Sequence, residues 1–180
     1  MIFKNKDITI AVVGLGYVGL PIAIELAKNF KVYGFDIKKK RVKDLILNID
    51  ETREIDSKTL KKINAIFSYK EKILSEANIF IVTIPTPVDK KNLPDLRLLK
   101  QSTKTITKYL KKNSIVIYES TVYPGCTEEI CLPILQKHKK LKFNKDFFIG
   151  YSPERINPGD EKRKITNIIK VVSGSSKNAL

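Results

Sequence analysis

Histidine, cysteine and long apolar runs are scarce in this chain of 180 residues, and each scarcity closes a class of function. There are two cysteines, Cys126 and Cys131. They are too few for a disulfide scaffold, and their spacing fits no usual structural metal pattern, so no metal site is expected. The single histidine, His138, sits in Gln136-Lys137-His138-Lys139-Lys140, which reads as a solvated helix end. No run approaches the roughly 20 apolar residues that a membrane span needs, so no membrane partner is expected. The opening Met1-Ile2-Phe3-Lys4-Asn5-Lys6-Asp7 is too short and polar for a signal peptide before Ile8-Thr9-Ile10 begins. A cytoplasmic protein is the default expectation. The length suits one domain with a substantial core and is short for two.

Acidic residues are also in the minority. The formal net charge is +15, against an ordinary hydrophobic fraction of 42% and a mean hydropathy of -0.18. A basic chain raises the question of nucleic acid. The lysines are spread, however, over Lys38-Lys39-Lys40, Lys61-Lys62, Lys90-Lys91, Lys111-Lys112 and Lys139-Lys140, mostly at expected helix ends and loops. That distribution reads as a solvated surface, and no nucleic-acid partner is expected. A basic surface would still attract an anionic substrate.

What the chain does have is alternation. Ile8 to Val13 is a β-branched apolar run that stops at a glycine, which predicts a buried strand. Val18, Ile22, Ala23 and Leu26 recur at helical spacing within Tyr17 to Lys28. A strand follows at Lys31 to Phe35 and a basic amphipathic helix at Lys38 to Leu47. A short helix is expected from Asp56 to Ile63, capped by Asp56 or Ser57. Next come a strand at Ala65 to Ser68, a short helix from Tyr69 to Ala77, and an apolar strand from Asn78 to Ile84. Pro85-Thr86-Pro87 ends that strand. A polar loop from Val88 to Pro94 leads to a long helix, Asp95 to Leu110, and a strand, Ser114 to Tyr118. After a turn at Tyr123-Pro124-Gly125 a helix is expected to about Lys137. Strands at Asp146 to Gly150 and Asn167 to Val172 flank an irregular stretch, Ser152 to Lys164. The alternation predicts an α/β fold, with a doubly wound, mostly parallel sheet and helices on both faces. Val171 to Ser176 reads as the exit from a strand, so the chain is expected to stop near a domain boundary.

One motif carries chemistry before any resemblance is considered. Gly14-Leu15-Gly16-Tyr17-Val18-Gly19 fits G-x-G-x-x-G directly between an expected strand and helix. Gly14 allows the tight turn. Gly16 lets backbone approach a pyrophosphate, and Gly19 lets the helix pack close to the sheet. The helix amino terminus then meets the phosphates. Asp36, at the end of the second strand, has the fingerprint position of the carboxylate that accepts hydrogen bonds from the adenosine ribose. It would repel the 2′-phosphate of NADP, so NAD is the expected cofactor of a Rossmann-like domain. Arg41 and the lysines at 38 to 40 can also hold a phosphate, and Arg41 is counted with the cofactor residues.

Val12 to Pro21, which contains this motif, closely resembles the opening of the UDP-glucose and GDP-mannose dehydrogenase family. Three further segments resemble the same family in order: Thr83-Ile84-Pro85-Thr86-Pro87, Glu119-Ser120-Thr121-Val122-Tyr123-Pro124-Gly125, and Tyr151-Ser152-Pro153-Glu154-Arg155. The resemblance covers nearly the whole chain. It implies that Tyr17 and Val18 join the glycines at the cofactor, that Thr83 and Thr86 lie on its ribose and nicotinamide side, and that Pro85, Ser120 and Thr121 also bind it. It implies that Thr121 helps hold a catalytic water, and that Glu154 works with that water in proton transfer. Glu154, Arg155 and Asn157 would lie near the sugar-nucleotide site.

The resemblance further implies oxidation of the C6 alcohol of a UDP-sugar to the carboxylate with two NAD. A cysteine carries a thioester that water then hydrolyses. That cysteine, with an assisting lysine and asparagine, belongs to a later segment in a second, sugar-binding domain, and no such segment occurs here. Cys126 follows Pro124-Gly125 near a helix start, where a thiol pKa can fall, but its position does not match; both thiols are expected to be inert. The chain alone is therefore expected to bind NAD without completing the reaction. Ser152-Pro153-Glu154-Arg155-Ile156-Asn157-Pro158-Gly159 and Asp50-Glu51-Thr52-Arg53-Glu54 resemble the UDP-N-acetylhexosamine dehydrogenases, including those of capsular and O-antigen polysaccharide synthesis. Full-length members dimerise through a helix that would begin near or after Leu180, which leaves this chain free to be a monomer. Two other readings compete. A β-hydroxyacid-type Rossmann dehydrogenase would share the glycine loop but not the three later segments. A basic nucleic-acid-binding module would need neither.

Overall fold

The computed structural model describes residues 7–138, 140–155, 168–177 and 179–180. Among these residues seven strands line up in one sheet: β1 (Thr9–Val13), β2 (Lys31–Phe35), β3 (Ala65–Ser68), β4 (Ile79–Val82), β5 (Ser114–Tyr118), β6 (Phe147–Tyr151) and β7 (Ser173–Gly174). Their order across the sheet is β3-β2-β1-β4-β5-β6-β7. Every neighbouring pair is parallel except β6 and β7. Among the described residues, α1 (Gly19–Leu26), α2 (Lys39–Ile46), α3 (Ser57–Lys62), α4 (Arg97–Thr107) and α5 (Leu132–Leu135) are the α-helices that connect them. The expected doubly wound α/β fold is present.

Parallel strands covered on both faces read as continuous apolar runs, because both sets of alternating side chains are buried. The central strands obey this rule. On one face Ile10, Val12, Val32 and Ile81 pack with Leu20, Ile22, Ala23 and Ile24 of α1, Leu45 of α2 and Leu60 of α3. On the other face Ala11, Val13, Phe80, Val82, Val116, Tyr118, Phe147 and Ile149 meet Leu99 and Ile106 of α4, Leu135 of α5, and Leu74. Neighbouring residues of β1 thus belong to opposite cores, as the period of two requires. Among the described residues no helix is long and apolar enough to cross a membrane.

Helix ends follow local chemistry. Asp56 caps α3 by accepting a hydrogen bond from the Thr59 amide at 2.9 Å. The expected helix at Tyr69 to Ala77 is a 3-10 turn over Glu71–Glu76. The helix expected after Gly125 opens with a wide π turn, Thr127–Cys131, before the single α turn of α5. Pro133 lies in the first turn of α5 and has no N–H to give to a carbonyl one turn back, so the preceding backbone opens. His138, just beyond α5, is half-buried rather than fully solvated.

The last expected strand needs correction. Ile168 to Val172 forms no strand, and Asn167 lies outside the described residues. Pairing occurs only at Ser173–Gly174, antiparallel to β6. Ile169 is 87% exposed, and its carbonyl accepts from the Arg155 guanidinium at 3.3 Å instead of from a strand neighbour. An apolar β-branched run suggests a buried strand only where a core is available, and here none covers it.

Phe80→Ala removes a fully buried ring from the centre of the sheet. It is expected to lower the unfolding free energy by about 3–5 kcal/mol. Ile66→Ala, on the exposed side of edge strand β3, should change it by less than about 0.5 kcal/mol. Denaturant titration of both variants checks the placement, and equal losses would contradict it.

Candidate functional site

The sheet order reverses between β1 and β4. Chain leaving β1 goes toward β2 and β3, while chain leaving β4 goes toward β5 and β6. Loops at the carboxyl ends therefore diverge and leave a crevice, the general ligand position in open parallel sheets. A cleft of about 480 Å³ occupies it. Its lining comes from the ends of β1, β2, β4 and β5, from Glu154 beyond β6, and from one face of α4.

The turn after β1 has the shape its glycines allow. Gly14 has φ of 97°, a conformation that side chains disfavour, and a Cβ there would lie 2.8 Å from the Thr83 carbonyl oxygen. A Cβ on Gly19 would sit 1.9 Å from the Gly14 carbonyl oxygen. Gly16 differs, since nothing lies within 4 Å of its ideal Cβ position. It borders open space at the amino end of α1, where Tyr17 and Val18 also line the cleft. Such a glycine leaves backbone free for a phosphate to approach.

Asp36 follows β2 and is already oriented. Its carboxylate accepts from the Leu15 amide and from the Lys38 amide, both at 2.9 Å. A carboxylate has about four lone-pair sites, so capacity remains for ribose hydroxyls. Arg41 does not line the cleft. Its guanidinium is 3% exposed, donates from Nε to the Leu15 carbonyl at 2.7 Å, and pairs through Nη1 with Asp50 at 2.6 Å. The expectation that Arg41 faces a phosphate gives way to a supporting role under the glycine loop. Gly19 likewise packs against Gly14 and Thr83 rather than lining the cleft.

At the other end, motif residues knit β4 to β5. The Thr83 hydroxyl lies 2.8 Å from the Gly14 carbonyl oxygen, and Ser120 Oγ accepts from the Ile84 amide at 3.1 Å. The Thr86 hydroxyl donates to the Thr121 carbonyl. Thr83, Pro85, Thr86, Ser120, Thr121 and Glu154 all line the same cleft. Arg155 is outside it, exposed, and Asn157 lies outside the described residues.

Several cleft residues had no role expected of them. Glu119 is 9% exposed and pairs with the Lys170 ammonium. Burial pushes its carboxyl above the usual range, Lys170 offsets part of that, and the Glu154 carboxylate adds to it. Leu98, Gln101, Ser102 and Thr105 of α4 form one wall. Their spacing, i, i+3, i+4 and i+7, marks one helix face, and that was the available signal. Lys170 had none, because its approach depends on tertiary structure.

The two thiols lie apart from this chemistry. Cys126 and Cys131 are fully buried. Burial raises both, and Cys131 is pushed up to about 11 by burial and by the neighbouring Cys126. The nucleophilic thiolate is therefore scarce at neutral pH. Among the described residues no group of three or more His, Cys, Asp or Glu side chains could hold a metal ion.

The arrangement suits an extended ligand, with an oriented carboxylate at Asp36, open backbone at Gly16, and hydroxyl and carboxyl groups at Thr121 and Glu154. Comparison with known proteins identifies the family. Residues 8–180 match the description "UDP-glucose/GDP-mannose dehydrogenase family, NAD binding domain". The chain is 53% identical to the UDP-N-acetyl-D-glucosamine 6-dehydrogenase of Pseudomonas aeruginosa, over 95% of this chain and 41% of the relative. It is 46% identical to the enzyme of that name from Salmonella typhi, over 97% of this chain and 41% of the relative. A solved UDP-D-ManNAc dehydrogenase from Pyrococcus horikoshii superposes with a TM-score of 0.86 at 31% identity, covering 96% of this chain and 42% of that one. The chain thus spans about two-fifths of the length of these relatives.

Two outcomes follow from the geometry. Gly16→Ala meets open space, so its melting temperature should stay within about 2 °C of the parent while dinucleotide affinity falls about tenfold or more. Gly19→Ala should lose both stability and binding. Calorimetric titration beside thermal melts separates the two, and undiminished affinity in Gly16→Ala would remove the phosphate from that position. Second, both thiols should resist iodoacetamide at about pH 8 in the native chain and react once it is denatured. Folding keeps the Cys131 thiol protonated, so its stabilising contribution is full below the unfolded thiol value and fades as pH rises toward about 11. Rapid native alkylation, read by mass spectrometry, would contradict the burial.

Proposed function

Because the chain belongs to the UDP-glucose/GDP-mannose dehydrogenase family and carries its NAD-binding domain, we propose that it serves NAD-dependent oxidation of the C6 alcohol of a UDP-N-acetylhexosamine to the uronic acid. The substrate class rests on the names of its relatives, UDP-N-acetylhexosamine dehydrogenases at 46% to 53% identity. The product would be a precursor for polysaccharide synthesis. The two unpaired thiols accord with the cytoplasm. Residues 1–180 are read as one NAD-binding domain that works with a sugar-binding domain supplied by further sequence. The share of the relatives that it spans supports this reading.

The single observation that carries the reading is the shared cleft. Asp36 stands at one end, open Gly16 lies between, and Ser120, Thr121 and Glu154 stand at the other. NAD supplies the hydride acceptor when bound, and two successive oxidations of an alcohol to an acid consume two NAD and one water. The protein's part is positioning. Asp36 accepts from the adenosine ribose hydroxyls, and its charge opposes a 2′-phosphate. The amino end of α1 favours the pyrophosphate through its partial positive charge. Thr121 borders the reacting end, where it would hold water, and Glu154 would take up a proton released there. The covalent step needs an accessible thiolate, which neither buried cysteine offers.

Titration calorimetry with NAD and with NADP tests the cofactor assignment. NAD is expected to bind at least about tenfold more tightly, since two like charges near 4 Å repel by roughly 1–4 kcal/mol between water and a protein surface. Asp36→Ala should abolish that preference. Mixing the chain with NAD and UDP-N-acetylglucosamine should yield no NADH. Binding of neither dinucleotide would sink the cofactor reading, and sustained NADH formation would sink the assignment of the reacting thiol to another domain.

A further inference from the structure

We propose that Asp50, which lies outside the cleft, is a positioning residue for dinucleotide binding and acts through Arg41 on the peptide between Leu15 and Gly16. The proposal rests on the cofactor reading above. Three observations carry it.

The first is the Leu15 carbonyl. It accepts from Arg41 Nε at 2.7 Å, on the buried side of the glycine loop. That carbonyl and the Gly16 N–H belong to one planar trans peptide, so they point in opposite directions. Holding the carbonyl toward buried Arg41 turns the Gly16 N–H away from it. Gly16 is the loop glycine that borders open space in the cleft. The Leu15 amide is fixed as well, by Asp36 at 2.9 Å. Both peptides flanking Leu15 are therefore held by side chains distant in sequence.

The second observation is what holds Arg41. The side chain of its partner Asp50 is 1% exposed, and the pair meets at 2.6 Å. A buried guanidinium without a counter-charge is strongly disfavoured, so removing the carboxylate would displace it from Leu15.

The third is that Asp50 itself cannot turn. One carboxylate oxygen accepts from the Thr52 amide at 3.0 Å and the Thr52 hydroxyl at 2.7 Å. The other accepts from the amides of Glu54 and Ile55, both at 3.0 Å. Burial alone would push its carboxyl up, but the bonds from Thr52, Arg41 and Ile55 hold it below the usual range, so the charge persists at neutral pH. The loop after α2 is thereby tied, through one ion pair, to the aim of one amide in the cleft.

A purely structural role would change stability and leave affinity alone, and the test separates these. NAD affinity would be measured by calorimetry, well below each melting point, for the parent, Asp50→Asn, Arg41→Lys and the double variant. Each single change is expected to weaken binding about tenfold, and the double no further than the worse single, because both act on one peptide. Arg41→Lys can still pair with Asp50 but loses the Nε–H, so it probes the Leu15 contact if Asp50→Asn folds poorly. Parent-like affinity in Arg41→Lys, or losses that multiply in the double variant, would overturn the proposal. The chemical shift of the Gly16 amide in the unliganded chain, read by NMR, supplies an arm independent of NAD. A displaced shift in Asp50→Asn and Arg41→Lys supports the linkage, and unchanged shifts overturn it. Absent NAD binding by the parent would count against the proposed function, and the shift result would still decide the role of Asp50.

Discussion

A side chain on Gly19 would place its first carbon 1.9 Å from the Gly14 carbonyl oxygen and 2.4 Å from Thr83 Oγ1, closer than atoms can approach. The bare Cα at this point lets the start of α1, the end of β1 and the end of β4 converge. The cleft depends on that convergence. If α1 stood farther from the sheet, its amino end would not face the gap between the diverging loops, and Gly16 would no longer border it. The Thr83 hydroxyl reinforces the point, lying 3.1 Å from the Val13 carbonyl oxygen and 2.8 Å from that of Gly14. A buried strand-end carbonyl left without a partner would be unfavourable, so this hydroxyl helps keep the junction closed.

Charge is distributed in the cleft in a way the overall +15 does not suggest. Among the described residues, the charged side chains on its lining are Asp36, Glu119 and Glu154, with Lys38 as the one cation. The acidic groups are not equivalent. Asp36 is partly exposed and bound to two backbone amides, which orients its carboxylate and leaves lone pairs toward the cleft. Glu119 is buried and pairs with Lys170, which offsets part of the upward push that burial and the Glu154 carboxylate exert on its carboxyl. The surface lysines lie elsewhere and act on approach rather than at the site.

Much of the fold was legible in sequence because the signals were local. Lys31–Phe35, Ala65–Ser68 and Ser114–Tyr118 are strands over the very residues expected, each a short apolar run bounded by turns or polar residues. Asp56 caps a helix from the position where an aspartate should. Failures came where tertiary context decided. Ile168 to Val172 had the composition of a strand and no surface to cover. Arg41 stands in a basic run that suggested phosphate contact, yet a buried partner nine residues later turned it inward. The cleft was legible in four motifs and the α4 wall only as a helical spacing, whereas Glu119's partner Lys170 was not legible, since nothing local distinguishes a lysine that tertiary folding brings to a site.

The motifs also do more than sequence alone suggests. Each threonine or serine hydroxyl has a single proton to donate. That of Thr86 goes to the Thr121 carbonyl, and that of Thr83 lies against two carbonyl oxygens at the end of β1. Ser120 Oγ already accepts from the Ile84 amide, and its nearest described acceptor is the Val82 carbonyl oxygen at 3.4 Å. With their protons committed in this way, Thr83 and Thr86 can meet a ligand only as acceptors, which suits ribose hydroxyls or an amide N–H and disfavours a carbonyl oxygen or phosphate. The same bonds fix the ends of β4 and β5 against each other. Reading such residues as ligand contacts from a motif is therefore incomplete: their hydroxyls first build the wall, and that use decides which ligand groups the wall can recognise.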